Sequence, residues 1–403
     1  MREVDEMGPM RSFTTAERRA RLGRRHALSP LHRAADPVET ARRVVALHGT
    51  DPATTFLSAV QRTTDGTIAD VEKALYDDRS LIRVLSMRRT VFAVPTDLVP
   101  ACHAAASDIV AREQRRRLEK LLGEADVTDD PAGWLREVEA VAVAAVEDAG
   151  EITSAELGKL DERLAARIVL APGTKYEASQ AVASRLLTLM SAAGEIVRVR
   201  PKGGWTSTQF RWSTLHNWSP EAAQPCSVED AAAEIARRWL GAYGPATEDD
   251  LAWWAGWTKA RTRAALAAVD AVEVDLDGQV GLTLPGDHAP EPEDDEPWVT
   301  LLPALDPSTM GWKHRDFYLG EHRERLFDVN GNAGPTIWHG GRIVGGWAHR
   351  DDGEIAIELL TDIGTEAADE VDREAAALAE LIGDVRLKAR ARGWTPSEKQ
   401  LRS

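Results

Sequence analysis

Cysteine is scarce in this chain. Among its 403 residues only Cys102 and Cys226 occur, far apart and outside any CxxC pattern. The sequence therefore predicts neither a disulfide framework nor a cysteine-built zinc site, and it fits a reducing compartment.

Long apolar runs are also missing. No segment approaches the roughly 18 consecutive apolar residues that a membrane helix needs. The first residues, MREVDEMGPMRSF, are charged and lack the apolar stretch of a signal peptide. Together with the cysteine usage, these absences predict a cytoplasmic protein.

Several catalytic signatures are absent as well. The chain contains no P-loop, no GxGxxG after a strand, no HExxH and no GxSxG. Its ten histidines are scattered without metal-ligand spacing. Nothing here supports a nucleotide-dependent enzyme, a zinc hydrolase or a serine hydrolase of the common kinds.

Positive charge is in deficit overall but is concentrated locally. The chain has 49 Lys and Arg against 65 Asp and Glu, a net charge of −16, which is typical of an acidic enzyme and not of a nucleic-acid binder. However, residues 11–43 hold nine arginines and three carboxylates, and residues 79–120 and 194–213 are also basic. Such stretches bind a polyanion if the fold brings them together, whereas each alone is usually a solvated surface.

An acidic segment, GDHAPEPEDDEP at 286–297, divides the chain. It contains six carboxylates and no Lys or Arg, so it cannot bury apolar area and is predicted to be an exposed connector. A helix-rich region precedes it, and a region rich in Gly and Trp with strand-like alternation follows.

The helix-rich region shows one pattern three times. In the last copy, Thr247 is a good helix N-cap, Gly256 ends that helix and Thr258 starts the next. Two alternating strands follow, joined by Asp277-Gly278, a type I′ hairpin signal. Three helices followed by a hairpin predict a winged helix-turn-helix.

The other two copies follow the same order. The first begins with a helix in PVETARRVVAL and ends with the strands LIRVLSM and TVFAVP, with Arg88-Arg89 at their turn. The middle copy has a helix over 133–149, a capping box at Thr153 and Glu156, a helix over 176–192, and the strands EIVRVR and WTSTQFRW.

These patterns predict an α+β fold with three tandem winged helices and a mainly β C-terminal domain that ends in a helix over 366–392. The predicted segments are a first winged helix at 11–125, a second at 126–222, a third at 223–286, a linker at 287–297 and a C-terminal domain at 298–403. Many winged helices bind DNA and many others bind only proteins, so the fold alone leaves function open.

Several long motifs in order resemble the AlkZ/YcaQ-like winged-helix DNA glycosylases. They are RRTVFAVPTDL, YGPATEDDLAWWAG, LLPALDPSTMGWKHRDFYLG and FDVNGNAGPTIWHGGRIVGGW. The resemblance implies a monofunctional glycosylase, without cofactor or metal, that acts as a monomer on double-stranded DNA containing alkylated or crosslinked purines. It also implies a cytoplasmic, nucleoid-associated protein.

The chain departs from this family at the catalytic pair. The family places a Gln, one other residue, and a Gln or Asp directly before Asp-Pro, where this chain reads His48-Gly49-Thr50-Asp51-Pro52. A neutral His48 can act as a general base, and the Thr50 hydroxyl can orient a water molecule. Asp51 is a candidate for anionic stabilisation, although an Asp before Pro usually caps a helix. No Lys occupies the family's catalytic position, so no Schiff-base mechanism is predicted.

A second set of residues is predicted to contact DNA. The basic wings supply cations for phosphates, and Trp205 with Phe210 on the second wing can stack on bases. Arg62 and Arg315 can reach phosphate, or can instead cap a helix and lock a loop through an Asp–Arg pair. The predicted DNA-binding residues are Arg62, Arg88, Arg89, Arg198, Arg200, Lys202, Trp205, Arg211 and Arg315.

Two functions fit the sequence. One is a DNA glycosylase with a variant His48/Thr50 site, acting on N7-alkylguanine, interstrand crosslinks or bulky genotoxin adducts. The other is a non-catalytic DNA-binding protein, a lesion sensor or a transcriptional regulator. A His48 that lies buried against its own helix would favour the second.

Overall fold

The structure is a computed structural model that describes residues 10–170, 173–174, 177–291, 297–389 and 392–403. It divides into two compact units. The first contains the residues up to Asp70 together with Ala232–Ser403, and the second contains Val71–Ala231.

Helices and strands both occur along the described residues, often in runs of two or three of one kind. The helices are α1 (Thr15–Arg25), α2 (Pro37–Arg43), α3 (Pro52–Val60), α4 (Ile68–Glu72), α5 (Val99–Cys102), α6 (Asp108–Glu124), α7 (Pro131–Ala149), α8 (Ser154–Leu157), α9 (Glu162–Ala165), α10 (Val182–Ala192), α11 (Leu215–Trp218), α12 (Val228–Tyr243), α13 (Glu248–Ala255), α14 (Lys259–Ala268), α15 (Asp316–Leu319), α16 (Arg323–Leu326), α17 (Thr365–Ile382) and α18 (Pro396–Leu401). The strands are β1 (Leu47–His48), β2 (Leu81–Ser86), β3 (Thr90–Pro95), β4 (Ile152–Thr153), β5 (Arg167–Leu170), β6 (Ala178–Ala181), β7 (Ile196–Pro201), β8 (Phe210–Thr214), β9 (Val272–Leu276), β10 (Gln279–Thr283), β11 (Val299–Leu302), β12 (Thr336–His339), β13 (Arg342–His349) and β14 (Ile355–Leu359).

The first unit contains an antiparallel sheet in the order β11-β12-β13-β14 and the separate β9–β10 hairpin. Aromatic side chains fill its interior. Trp239 stacks on Tyr243 with ring centres 5.5 Å apart, and Tyr243 meets Trp312 edge-on at 4.9 Å. The tryptophans concentrated in the second half of the sequence therefore serve mainly as core. Burial of this much aromatic surface dominates the packing energy of a unit.

The second unit has its own core. Apolar residues of α6, α7 and α10 pack together there, including Leu122, Leu135 and Leu186, which are fully buried. Its strands form the β2–β3 hairpin, the sheet β4-β8-β7 and the pair β5-β6. Several helices in this unit start with a side-chain cap, as at Thr153, whose hydroxyl and Glu156 form the predicted capping box.

The predicted α+β class is confirmed, as are the C-terminal sheet and the helical end of the chain. The hairpin at Asp277-Gly278 is also confirmed, since both residues have positive φ, as a type I′ turn requires. Three winged helices remain a prediction. The predicted linker lies partly outside the described residues, but its first carboxylates, Asp287 and Glu291, form ion pairs with Arg25.

Four predicted elements were too long. The helix predicted over 366–392 ends at Ile382, because Gly383 takes a positive φ of 61°. The helix predicted over 176–192 starts at Val182, because β6 precedes it and pairs with β5. The helix in PVETARRVVAL ends at Arg43, and the strand predicted from Trp205 starts at Phe210. Periodicity gave the type of each element, whereas tertiary pairing fixed its ends.

Candidate active site

The predicted catalytic residues lie in the short connection between β1 and α3. Asp51 is the N-cap of α3, and its carboxylate accepts a hydrogen bond from the Ala53 N–H at 3.3 Å. Pro52 occupies the first helical position, where its missing N–H has no cost. Since every residue of α3 is buried, the cap holds the Asp51 carboxylate in a fixed place.

The three predicted catalytic residues differ in exposure. His48 and Asp51 are each 7% exposed, and Thr50 between them is exposed. The His48 carbonyl accepts a hydrogen bond from the Thr55 hydroxyl at 3.0 Å, which ties this residue to α3. The burial of His48 matches the arrangement that the sequence associates with a non-catalytic protein. Asp51 is equally buried, so burial does not separate these two residues; Asp51 differs in that it lines a cavity.

Asp51 lines a cavity of about 40 Å³. A cavity needs roughly 10–15 Å³ on this measure to hold one water molecule, so a water molecule fits beside the carboxylate. The other walls come from α3, from the β11–β14 sheet and from the C-terminal segment. Lining residues with chemical or stacking capacity are Asp51, Thr54, Trp347, His349, Lys388 and Trp394.

Hydrogen bonds hold the walls of this cavity in place. The Thr54 hydroxyl donates to the Ala304 carbonyl at 2.8 Å, and the Trp347 indole donates to the Leu302 carbonyl at 2.9 Å. At such distances these are good hydrogen bonds, and both are buried. The α3 wall is thereby fixed to the sheet.

The C-terminal wall is equally constrained. Arg392 and Glu398 form an ion pair at 2.6 Å with both side chains only 3% exposed. The Gly393 N–H donates to Asp328 at 3.1 Å, and the Thr395 N–H donates to Glu398 at 3.0 Å. Trp394 therefore lies half-buried between two anchored backbone positions, and the guanidinium group of Arg402 lies 4.4 Å from its ring centre. Its ring lines the cavity with little freedom.

His349 lines the same cavity as a neutral ring. Burial, with Arg386 and Arg402 nearby, lowers the pKa of this histidine below its ordinary value. Its Nδ1 accepts a hydrogen bond from the Leu387 N–H at 3.3 Å, which places the ring proton on Nε2. Among the described residues, Nε2 is buried without a hydrogen-bond partner.

Arg62 is a structural residue, which corrects the prediction that it contacts DNA. It is 0% exposed, and all five of its N–H groups are used. Its acceptors are Asp306 (two bonds), Ser308, the His26 carbonyl and the Ser58 carbonyl. A guanidinium group without a free donor or access to solvent cannot bind phosphate.

Arg315 is also corrected, because its side chain is buried, although its Nε has no hydrogen-bond partner among the described residues. It is 4% exposed, donates to the Trp312 carbonyl at 2.7 Å and lies 5.1 Å from the ring centres of Trp253 and Phe327. Burial lowers the pKa of its guanidinium group. The alternative Asp–Arg pair is also not formed with Asp306, which binds Arg62.

The cations predicted on the two wings lie in the second unit, and three cations of the second wing have carboxylate partners. Arg200 pairs with Asp77 at 2.9 Å, Lys202 with Glu156 at 3.1 Å and Arg211 with Glu151 at 3.4 Å. Exposed pairs of this kind are worth about 0–1 kcal/mol and exchange readily for a phosphate. Arg88 and Arg89 occupy the β2–β3 turn with φ of 54° and 58°. These five cations remain predicted DNA contacts.

Arg198 on the second wing lies among aromatic side chains that are buried to different degrees. The guanidinium group of Arg198 lies 5.5 Å from the Phe210 ring centre and 5.2 Å from that of Trp212. Burial and the nearby Arg83 lower the pKa of Arg198 to about 10, so it stays charged at neutral pH. Phe210 is only 9% exposed, which excludes it as a base-stacking residue, whereas Trp205 is half-buried and stays a candidate.

Sequence reasoning missed His349, Lys388 and Trp394, because only the fold brings the C-terminal segment to Asp51. One signal was present, since Thr395 and Glu398 have the spacing of a capping box, which marks an ordered helix start. Among the described residues, no group of His, Cys, Asp and Glu side chains is arranged to hold a metal ion. None of the described helices has both the length and the apolar character of a membrane span.

Comparisons with known proteins give one consistent family. The model of the family described as DNA glycosylase AlkZ-like matches residues 41–381. An "Interstrand DNA cross-link repair glycosylase" of Streptomyces sahachiroi is 29% identical over 171 residues, which cover 40% of this chain and 46% of that protein. The matched segment thus spans less than half of that relative. The structure of Streptomyces sahachiroi DNA glycosylase AlkZ is similar in fold, with a TM-score of 0.71, 19% identity, and coverage of 94% of this chain and 99% of that one.

Proposed function

The chain belongs to the AlkZ-like DNA glycosylase family, and from this premise we propose that it hydrolyses the N-glycosidic bond of an alkylated purine in double-stranded DNA. One observation in the structure supports the proposal above others. The Asp51 carboxylate is fixed at the start of α3 and lines a cavity that fits water. Hydrolysis needs a positioned water molecule next to an acceptor.

The chemistry of the substrate limits what the protein must supply. A guanine alkylated at N7 carries a positive charge, so the bond from the sugar C1′ to the base breaks with its electron pair leaving on the base. The sugar is then an oxocarbenium-like cation, and the oxygen of a water molecule bonds to C1′ while one proton of that water passes to a carboxylate. A nearby carboxylate stabilises the cation and accepts a hydrogen bond from the attacking water.

We assign these two tasks to Asp51. Its bond to the Ala53 N–H fixes the carboxylate at the start of α3. An ionised carboxylate is an acceptor, the type of group that a water molecule donates to. Exposed Thr50, the preceding residue, is proposed to orient that water molecule through its hydroxyl. His48 is proposed to position the connection through its carbonyl bond to Thr55.

The lesion is proposed to be bulky or crosslinked. This follows from the name of the Streptomyces sahachiroi relative, a glycosylase of interstrand crosslink repair. Lys388 and Trp394 lie at the same cavity, where an ammonium group can bind a phosphate and an indole ring can stack on a planar base. N7-Alkylguanine, an interstrand crosslink and a genotoxin adduct all present such a planar cationic purine.

The test is release of a modified base. Duplexes with N7-methylguanine and with a guanine N7 crosslink are incubated with the purified protein, and the free base and the abasic product are quantified. Release of either base supports a glycosylase. Salt-dependent DNA binding without release from either substrate contradicts it.

A non-catalytic DNA-binding protein is the second candidate. One observation favours it, the burial of His48 against α3. A sensor without catalysis would bind both duplexes at least as tightly as undamaged DNA and leave them intact over many hours. Binding and release are therefore measured on the same duplexes.

A further inference from the structure

Five arginines that are distant in sequence converge on one open cavity of about 340 Å³. Arg24 and Arg25 come from the last turn of α1, and Arg42 and Arg43 from the last turn of α2. Arg238 comes from α12, and only Gly241 and Ala242 complete the lining. No lining residue is acidic. The basic stretch at 11–43 thus takes part in a common surface, the condition under which it was expected to bind a polyanion.

Carboxylates hold several of these guanidinium groups from outside the lining. Glu39 binds Arg43 at 2.6 Å, and Glu234 binds Arg238 at 2.7 Å. Asp287 and Glu291 bind Arg25, all five N–H groups of which are used. Arg25 therefore contributes charge to the cavity but no donor, and the carboxylates fix the geometry of the wall.

Donors remain on Arg24 and Arg43. Arg24 is half-buried and forms no hydrogen bond or ion pair from its side chain with any described residue, and its Nε is buried without a partner. Arg43 donates through Nε and one N–H of each terminal nitrogen to Glu39 and the His32 carbonyl, which leaves one N–H on each terminal nitrogen. Planar guanidinium groups with free N–H pairs suit phosphate oxygens.

A purely structural role does not explain this convergence. Cations in the last turn of a helix stabilise its dipole, and one per helix is enough for that effect. Exposed ion pairs contribute about 0–1 kcal/mol each, so stability does not require five arginines around one solvent-filled space. Four carboxylates offset part of the repulsion between these like charges, whereas Arg24 adds a cation that has no carboxylate partner among the described residues.

We propose that this arginine cavity binds phosphodiester groups of the DNA backbone. The identity of the ligand as DNA rests on the proposed function, whereas the affinity for phosphate rests on the cavity alone. Arg43 and Asp51 are eight residues apart, so their Cα atoms are separated by at most about 29 Å. One turn of duplex is about 34 Å, so one DNA molecule can contact both the cavity and the connection at Asp51.

The dependence of DNA affinity on salt tests the proposal. The variant Arg24→Gln/Arg43→Gln is compared with wild type on undamaged duplex, with the dissociation constant measured between 50 and about 300 mM salt. Each phosphate contact contributes about 0.9 to the slope of log affinity against log salt concentration. The double variant is expected to lower the magnitude of this slope by about 1.8. An unchanged slope overturns the proposal.

A matched control separates a local contact from net charge. Arg263→Gln/Arg373→Gln makes the same charge change at exposed residues outside the cavity, each paired with one carboxylate. The slope of this control is expected to equal that of wild type. If it falls as much as in the cavity variant, overall charge explains the effect and the proposal fails.

Two further arms address folding and the source of phosphate. Arg24→Gln alone removes no hydrogen bond to described residues, so it is expected to keep the melting temperature of wild type and lower the slope by about 0.9.

Inorganic phosphate is titrated into wild type and into the cavity variant at constant ionic strength. If the cavity variant loses phosphate binding while the slope for DNA is unchanged, the cavity serves a free anion and the proposal is wrong. Because the DNA is undamaged, these results do not depend on base release.

Discussion

The guanidinium group of Arg62 binds the carboxylate of Asp306 through two hydrogen bonds of 2.7 and 2.8 Å, although 244 residues separate them in the sequence. Both side chains are fully buried. The Ser58 hydroxyl donates to the Asp306 carboxylate, and the Ser308 hydroxyl accepts a hydrogen bond from Arg62. This pair fixes α3 to the loop after β11 and thereby the position of the helix that Asp51 caps.

Breaking this pair is expected to destabilise the protein strongly. Asp306→Ala leaves a buried, unpaired guanidinium group, which costs roughly 3–5 kcal/mol. Urea unfolding followed by circular dichroism measures the change. Arg62→Met/Asp306→Leu removes both charges and is expected to be more stable than Asp306→Ala. A loss below about 1 kcal/mol in Asp306→Ala would contradict the structural role assigned to Arg62.

The contrast between this pair and the local motifs shows what the sequence could predict. Thr247, Thr258 and the Asp277-Gly278 turn act on their immediate neighbours, so their roles were predicted correctly. Asp51 was likewise identified as both a helix cap and a candidate site residue. Arg62 looked like a surface cation because its partner lies 244 residues away.

The same reason explains the rest of the site. The segment with Lys388 and Trp394 lies at the same cavity as Asp51 because of the tertiary fold, and no local pattern encodes that approach. The sequence showed which stretches are rich in arginine, but it did not show that arginines from separate stretches line one cavity. Arg24, Arg43 and Arg238 reach the same cavity from three helices.

Acidification is expected to destabilise the fold through His26. This ring is fully buried between Ser308 and the Ala242 carbonyl, and burial together with Arg62 lowers its pKa to about 3. In the unfolded chain it takes up a proton below about pH 6.5, whereas in the fold it stays neutral. The contribution of neutral His26 to the free energy of unfolding is therefore complete above pH 6.5. As the pH falls below that value, the free energy of unfolding decreases by about 1.4 kcal/mol per pH unit.

Unfolding in urea at pH 7.5, 6.0 and 5.0 measures this contribution. His26→Gln keeps a hydrogen-bonding side chain that does not titrate, so its free energy of unfolding is expected to depend less steeply on pH than that of wild type. Other buried histidines, such as His103, are common to both proteins and cancel in the comparison. Parallel pH profiles would contradict the assignment.

Removing the indole ring at the cavity is expected to weaken the processing of planar lesions. Trp394→Ala is predicted to lower base release by roughly 5- to 160-fold, since stacking of a base on an aromatic ring is worth about 1–3 kcal/mol. Trp394→Phe keeps a stacking face and is predicted to recover most of the rate. Single-turnover release assays on a bulky adduct measure both.

The control for that experiment is Trp134→Ala, which removes a half-buried tryptophan from the second unit. Its release rate, measured well below its melting temperature, is expected to match wild type. Equal losses in Trp394→Ala and Trp134→Ala would show that the effect is general destabilisation and not stacking.

The wing cations provide a separate prediction. Arg200→Gln/Lys202→Gln removes two cations whose present partners are exposed carboxylates. If both contact phosphates, the slope of log affinity against log salt concentration falls by about 1.8, and the single-turnover rate at saturating protein is unchanged. An unchanged slope would remove these two residues from the predicted DNA interface.

The most direct test of the proposed chemistry is the single-turnover rate of base release in Asp51→Asn. Asparagine keeps the helix cap and the shape of the side chain but removes the negative charge, so folding and DNA affinity are expected to match wild type. The rate of N7-methylguanine release is predicted to fall at least 100-fold, with a smaller loss in Thr50→Ala. His48→Ala is predicted to keep a rate near that of wild type, because residue 48 binds Thr55 through its backbone carbonyl. A wild-type rate in Asp51→Asn, or a loss confined to His48→Ala, would contradict the assignment of the catalytic carboxylate to Asp51.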